Sequence, residues 1–145
     1  MDTDASAAVY SRLLIEYAAA AQTPVRLVHP DLTARAVSAI CGSTIEVDLN
    51  VKEGKVTEFG FDVDACALTK AVVSVMRTAI IGKTRDDIAQ AGDLLRLMLA
   101  GQESVLSGDW ADLMILAPLV DFKARHNAIQ LPFEAVERAF SGKKQ

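Results

Sequence analysis

Residues 41–71 read CGSTIEVDLNVKEGKVTEFGFDVDACALTKA, and the alternation of their side chains decides the fold. Ile45, Val47, Leu49 and Val51 share one face of an extended chain, with Glu46, Asp48 and Asn50 on the other. Lys52-Glu53-Gly54-Lys55 is a polar turn with a glycine able to take positive φ. A second strand follows, with Phe59, Phe61 and Val63 on one face and Glu58, Gly60 and Asp62 on the other. After Asp64 the period changes from two to about 3.6: Leu68, Val72, Val75, Met76 and Ala79 form a helical stripe. This helix is expected over about residues 67–81, stopping at Gly82. An antiparallel hairpin returns its two ends to one end of the sheet. Cys41, at the start of the first strand, and Cys66, where the second strand becomes a helix, are therefore expected to converge despite the 24 residues between them.

Outward from this hairpin the chain alternates between punctuation and periodicity. Residues 5–21 predict an amphipathic helix on Tyr10, Leu13, Leu14, Tyr17, Ala18 and Ala21, with Asp4 as its cap. Pro24, His29 and Pro30 make residues 22–31 a loop, in which His29 reads as solvated surface. Residues 34–40 predict a further strand with Ala34, Ala36, Ser38 and Ile40 on one face. Thr84 with Asp87 forms a capping box opening a helix that carries Ile88, Leu94, Leu95, Leu97 and Met98 and closes near Gly101. Residues 101–124 read as an excursion: Asp109 caps a short turn from Trp110 to Leu116, Trp110 packs into the core or anchors an interface, and Pro118 ends it. A last helix runs through Phe133, Val136 and Phe140. Its start has two readings, because Pro132 suits a first helical position while Asn127 with Gln130 offers a capping box one turn earlier. The expected fold class is α+β: one domain over residues 1–145, with about three antiparallel strands packed on four to six helices.

A chain of 145 residues, 51% hydrophobic, is large enough for a core and is not disordered in composition. A net charge of −4 and a pI near 5.1 argue against nucleic acid or an anionic membrane as partner. The longest apolar run, residues 113–120, has eight residues with a proline inside, far short of the ~20 that span a bilayer. The acidic start Met1-Asp2-Thr3-Asp4 lacks the basic region of a signal peptide. A cytoplasmic location with reduced thiols is the expectation.

Read from the residues alone, the cysteines leave two chemistries open. Cys66 at a helix N-terminus sits where the dipole favours thiolate, with Asp64 opposing it. Two converging thiolates bind zinc or iron, or carry sulfur as a persulfide. Two buried, inert cysteines are the other reading, and without a Cys-x-x-Cys pair the spacing does not decide.

The order Cys-Gly-Ser, hairpin, Asp-Ala-Cys-Ala-Leu-Thr-Lys-Ala, two helices, then Arg125 ahead of a C-terminal helix resembles the NifU/IscU-type iron–sulfur cluster assembly scaffolds. Residues 101–124 resemble the extra segment of the SufU branch, and the likeness runs from the N-terminal helix to about Phe140. The resemblance implies an IscU/SufU-like sheet on helices and a site of three cysteines and an aspartate or histidine. That site would hold an iron–sulfur cluster, iron or zinc and receive sulfur from a cysteine desulfurase. Matched residue by residue, Cys41 and Cys66 take the places of the first two cysteines, as metal or cluster ligands and persulfide acceptors. Ser43 stands where the family has the aspartate of Cys-Gly-Asp, and Arg125 is the arginine ahead of the third cysteine. Ala128, give or take one residue, occupies that third cysteine's place, and His126, two positions earlier, reads either as a surface histidine or as a third ligand. The implied role is a scaffold or sulfur-accepting carrier that hands on to a downstream carrier or apo iron–sulfur protein, as a monomer or weak homodimer. Two other readings stand beside it: a zinc-dependent sulfurtransferase partner of the desulfurase, and a metal-free interaction module on the same fold.

Overall fold

The computed structural model describes residues 11–40 and 42–142. Cys41 lies outside them, as do Asp4, Tyr10 and the rest of the expected first turns of the N-terminal helix. Helix α1 (Arg12–Ala20) is capped by Ser11, whose hydroxyl accepts from the Leu14 amide. Strands β1 (Leu32–Val37), β2 (Thr44–Lys52) and β3 (Lys55–Asp64) follow. They form an antiparallel sheet in the order β1-β2-β3. Helices α2 (Ala67–Ala79) and α3 (Arg85–Leu99), a 3-10 run over Gly108–Asp121, and α4 (Lys123–Ser141) complete an α+β architecture.

The hairpin forms for the reasons its alternation gave. Ile45, Val47 and Leu49 of β2 and Phe59, Phe61 and Val63 of β3 are buried on the helix side. Glu53 and Gly54 both have positive φ, 54° and 78°, as a two-residue hairpin turn with matching twist requires. A register shift at Asn50/Val51 brings Val51 opposite Val56 and keeps the apolar residues of both strands together. Against this face lies α2, which is buried almost throughout: Ala71, Val73 and Ser74 join the expected stripe. It is a central helix more than an amphipathic one. The α3 capping box forms as expected, with Thr84 and Asp87 satisfying each other's backbone amides.

The polar face of the hairpin is covered at its centre, over Asp48 and Gly60, while Glu58 stays exposed. Residues 24–28 cross it, and Val25 exchanges backbone hydrogen bonds with Phe61 at 2.9 and 2.7 Å. Gly60 permits this approach, because a Cβ there would sit 2.7 Å from the Val25 oxygen and 2.9 Å from the Leu27 nitrogen. Opposite Gly60 on β2, the fully buried Asp48 accepts from Arg26 Nε (2.7 Å) and Nη2 (2.9 Å), the Leu27 amide (3.1 Å) and the Thr33 hydroxyl (2.9 Å). Burial pushes the Asp48 carboxyl up, but these donors more than offset it and hold the group below the ordinary carboxylate range.

Four expectations are corrected. Strand β1 ends at Val37, and Ile40 lies beyond it in the connection to β2, 72% exposed. Leu13 and Leu97 are exposed and outside the core. The excursion is not a short turn capped by Asp109 and ended by Pro118. It is one 3-10 run with Ser107 as N-cap and Pro118 inside. Its buried residues, Trp110, Leu113, Leu116 and Leu119, recur every third position, which is the 3-10 repeat. Trp110 packs on Phe133 at 5.5 Å between ring centroids, and Asp109 pairs with Lys83 at 2.7 Å. Finally, α4 starts at Lys123, so neither Pro132 nor Asn127 begins it, and Pro132 sits deep inside.

Candidate functional site

Three backbone segments meet at one end of the sheet. The β1–β2 connection is closed where Val37 pairs with Thr44, and Thr44 in turn pairs with Asp64 at the end of β3. The residues flanking Cys41 are thus at the same sheet end as the junction leading to Cys66. Ser38 N donates to the Ser43 carbonyl and Gly42 N to the Ser38 carbonyl, both at 2.8 Å. Gly42, at φ 73°, makes the reversal possible. The third segment is the start of α4, tied to this connection by the Ser38 hydroxyl, which donates to Asn127 Oδ1 at 2.8 Å.

Cys66 is the N-cap residue of α2, with extended backbone (φ −72°, ψ 170°), and its side chain makes no capping hydrogen bond. The thiol is half-buried, and its Sγ lies 3.7 Å from Thr69 Oγ1 one turn along. Thr69, fully buried, donates that hydroxyl proton to the backbone carbonyl of Ala128 at 3.0 Å. Ala128 is itself only 2% exposed. Position 128, where the resemblance expects a third cysteine, therefore stands beside Cys66.

The other expected residues divide by their angle around α4. At ~100° per residue, Arg125 and Ala128 are one turn apart on the same face, whereas His126 is about 200° from Ala128. Arg125 is exposed, one turn toward the open end of α4. His126 is half-buried and its Nε2 donates to the Leu119 carbonyl at 2.7 Å, fastening α4 to the 3-10 run. The structure brings Cys66 and position 128 together, sets Arg125 one turn before position 128 on the same side of α4, and gives His126 a different neighbour. Ser43 is buried at the base of the β1–β2 connection, 7% exposed. Among the described residues no three or more His, Cys, Asp or Glu side chains group so as to hold a metal ion. The described donors alone do not fit a closed four-ligand site.

Sequence reading gives Ser38 to a strand face and Asn127 to a helix cap and gives Thr69 no role, so none of these three contributors is expected at the site. A signal for Thr69 exists in the Cys-Ala-Leu-Thr spacing, since i and i+3 share a helical face. For Asn127 there is none, because its amide is spent on Ser38, 89 residues away in the chain.

The NifU-like N terminal domain family model matches residues 20–128. The solved N-terminal domain of a nitrogen-fixing NifU-like protein from Brucella abortus superposes with a TM-score of 0.89 at 34% identity, covering 96% of each chain. The chain belongs to the NifU-like N-terminal domain family. Among curated relatives, the iron–sulfur cluster assembly scaffold protein IscU of Streptococcus pyogenes serotype M1 is 26% identical over 99 residues, which is 68% of this chain and 62% of that protein. The chain thus matches less than two thirds of that relative's length. A putative iron–sulfur cluster assembly scaffold protein for the SUF system from Fervidobacterium islandicum AW-1 shares the fold, with a TM-score of 0.82 at 19% identity over 90% of this chain and 96% of that one. No helix among the described residues is long and apolar enough to cross a membrane.

Proposed function

We propose that this chain serves iron–sulfur cluster assembly as a scaffold or sulfur acceptor for a cysteine desulfurase, with Cys66 and Cys41 as its working thiols. The observation that carries the reading is the position of Cys66: a half-buried thiol at a helix N-terminus, beside position 128, at the sheet end where the Cys41 connection closes. Sulfur acceptance needs one accessible thiol. The Cys66 thiolate attacks the terminal sulfur of the desulfurase's cysteine persulfide, and a new S–S bond forms as the old one breaks. The desulfurase leaves as a thiolate and takes up a proton, with no net oxidation. Arg125, on the same side of α4 as position 128, supplies a cation near the negative charge.

A nascent cluster, iron or zinc is cargo in this reading. With alanine at 128 and the His126 ring turned to Leu119, this chain offers two thiols where a cluster or zinc takes four ligands, so the remaining donors come from the desulfurase, an acceptor protein or a second copy. The chain acts as one cytosolic NifU/IscU-type domain with residues 101–124 as a SufU-type insertion, and passes sulfur or cluster to a downstream carrier or apo-protein. The same two features of α4 favour, as a second reading, a metal-free interaction module in which neither thiol reacts.

Incubation with a cysteine desulfurase and free cysteine tests the proposal. The intact mass is expected to rise by one sulfur atom, mapped to Cys66, and Cys66→Ser is expected to abolish the gain. An unchanged gain in Cys66→Ser overturns the role of Cys66. No gain at either cysteine, with both slow toward an alkylating reagent, establishes the second reading instead.

A further inference from the structure

Pro132 lies inside α4, four residues after Ala128. A proline has no N–H, so the Ala128 carbonyl loses the helical donor it would otherwise have, and the proline ring pushes that carbonyl outward. A buried carbonyl without a donor is costly, and the structure supplies one from another helix: Thr69 Oγ1 of α2, at 3.0 Å. The Thr69 hydroxyl has a single proton, and Ala128 takes it. Toward Cys66, 3.7 Å away, Thr69 then presents its lone pairs, so the thiol is the donor in that contact. One side chain therefore holds both partners of the site, the Cys66 sulfur and the backbone at position 128.

We propose that Thr69 is a positioning residue of the Cys66 site, clamping α4 at the carbonyl that Pro132 frees and so fixing how far the Cys66 thiol is covered. The inference rests on the reading of Cys66 as the reactive thiol, but concerns what sets its access rather than what it receives. The interior proline and the threonine are two halves of one device: the first opens a socket in α4 and the second fills it. Loss of the hydroxyl leaves a buried carbonyl unpaired, and the start of α4 moves away from α2 to reach water, uncovering the thiol.

The test is the rate at which iodoacetamide labels Cys66 in the full-length chain, scored on its own peptide so that Cys41 is counted separately. Thr69→Val keeps the shape and removes the donor, and it is expected to speed Cys66 labelling by roughly three- to tenfold, the worth of one hydrogen bond. Thr69→Ser keeps the donor and is expected to stay within about twofold of wild type. Pro132→Ala returns an amide to the Ala128 carbonyl, so adding it to Thr69→Val is expected to bring labelling back toward wild type. A rate unmoved by Thr69→Val, or a double variant as fast as Thr69→Val alone, overturns the clamp. If Thr69→Val does not fold, folding of the double variant supports the clamp, and failure of both overturns it. Sulfur transfer from a desulfurase is scored on the same proteins. Absence of transfer to wild-type Cys66 refutes the functional reading while the labelling ratios still decide the clamp.

Discussion

Asp48→Asn tests how the polar face of the hairpin is closed. Asp48 is fully buried and accepts four hydrogen bonds, two of them from the Arg26 guanidinium. The amide keeps the shape but loses the charge, and its NH2 faces donors it cannot accept from. A hydrogen bond to a charged group contributes about 1.5–3 kcal/mol. The Arg26 side chain is 40% exposed and recovers part of its hydration, which lowers the loss from its two bonds. The expected loss is therefore about 2–3 kcal/mol in all. For a chain of this size each kcal/mol moves the melting temperature by roughly 3–4 °C, so the midpoint at pH 7 is expected to fall by roughly 6–12 °C. The pH dependence has a definite sign. Asp48 is held below its ordinary value in the fold, so its contribution is present above the unfolded value of about 3.9 and is lost as pH falls through the folded one. Calorimetric melts from pH 7 to pH 3 should show the gap between wild type and Asp48→Asn constant at first and shrinking only below about pH 4. A variant that melts within a degree or so of wild type at pH 7, or a gap that widens in acid, refutes the reasoning.

Gly60→Ala places a Cβ against the backbone of Val25 and Leu27, and urea titration should show it less stable by about 1–3 kcal/mol, where an unchanged midpoint would contradict the close crossing. Thr84→Ala breaks the reciprocal capping of α3 and should lower stability by about 1 kcal/mol in the same assay, with Thr84→Ser largely restoring it. Ala128→Cys restores a thiol beside Cys66, since the two contacts through Thr69 keep the Ala128 carbonyl oxygen within about 6.7 Å of the Cys66 sulfur. Zinc affinity, read by competition with a chromophoric chelator, should rise by roughly tenfold or more with the added ligand, and no change would separate position 128 from the site.

What could be read from the sequence was what local patterning controls. The alternation around Ile45, Val47 and Leu49, the Glu53-Gly54 turn and the Thr84–Asp87 box each carry their own physical cause within a few residues, and each forms. The start of α4 was not readable, because an interior proline normally ends a helix and the hydroxyl that compensates for it lies 59 residues away in the chain, on α2. Pro118 masks the 3-10 run in the sequence, although Trp110, Leu113, Leu116 and Leu119 announce a repeat of three. Asp48 alternates like a solvent-facing residue and is buried, since only the tertiary crossing of residues 24–28 covers it. At the site, Cys66 and Ala128, which the resemblance aligns to within one residue, share Thr69 as a neighbour. His126 was a candidate ligand on proximity in sequence, but two residues along a helix point nearly opposite ways, and its ring fastens the 3-10 run.

A two-thiol site for metal or cluster requires Cys41 and Cys66 to converge, and mild oxidation with diamide measures that convergence most directly. A disulfide forms only when the two Cα atoms lie within about 7 Å. The expected product is a monomer that has lost two hydrogens, with peptide mapping showing Cys41 joined to Cys66. A chain that keeps both thiols free, or that links only between molecules, would contradict it.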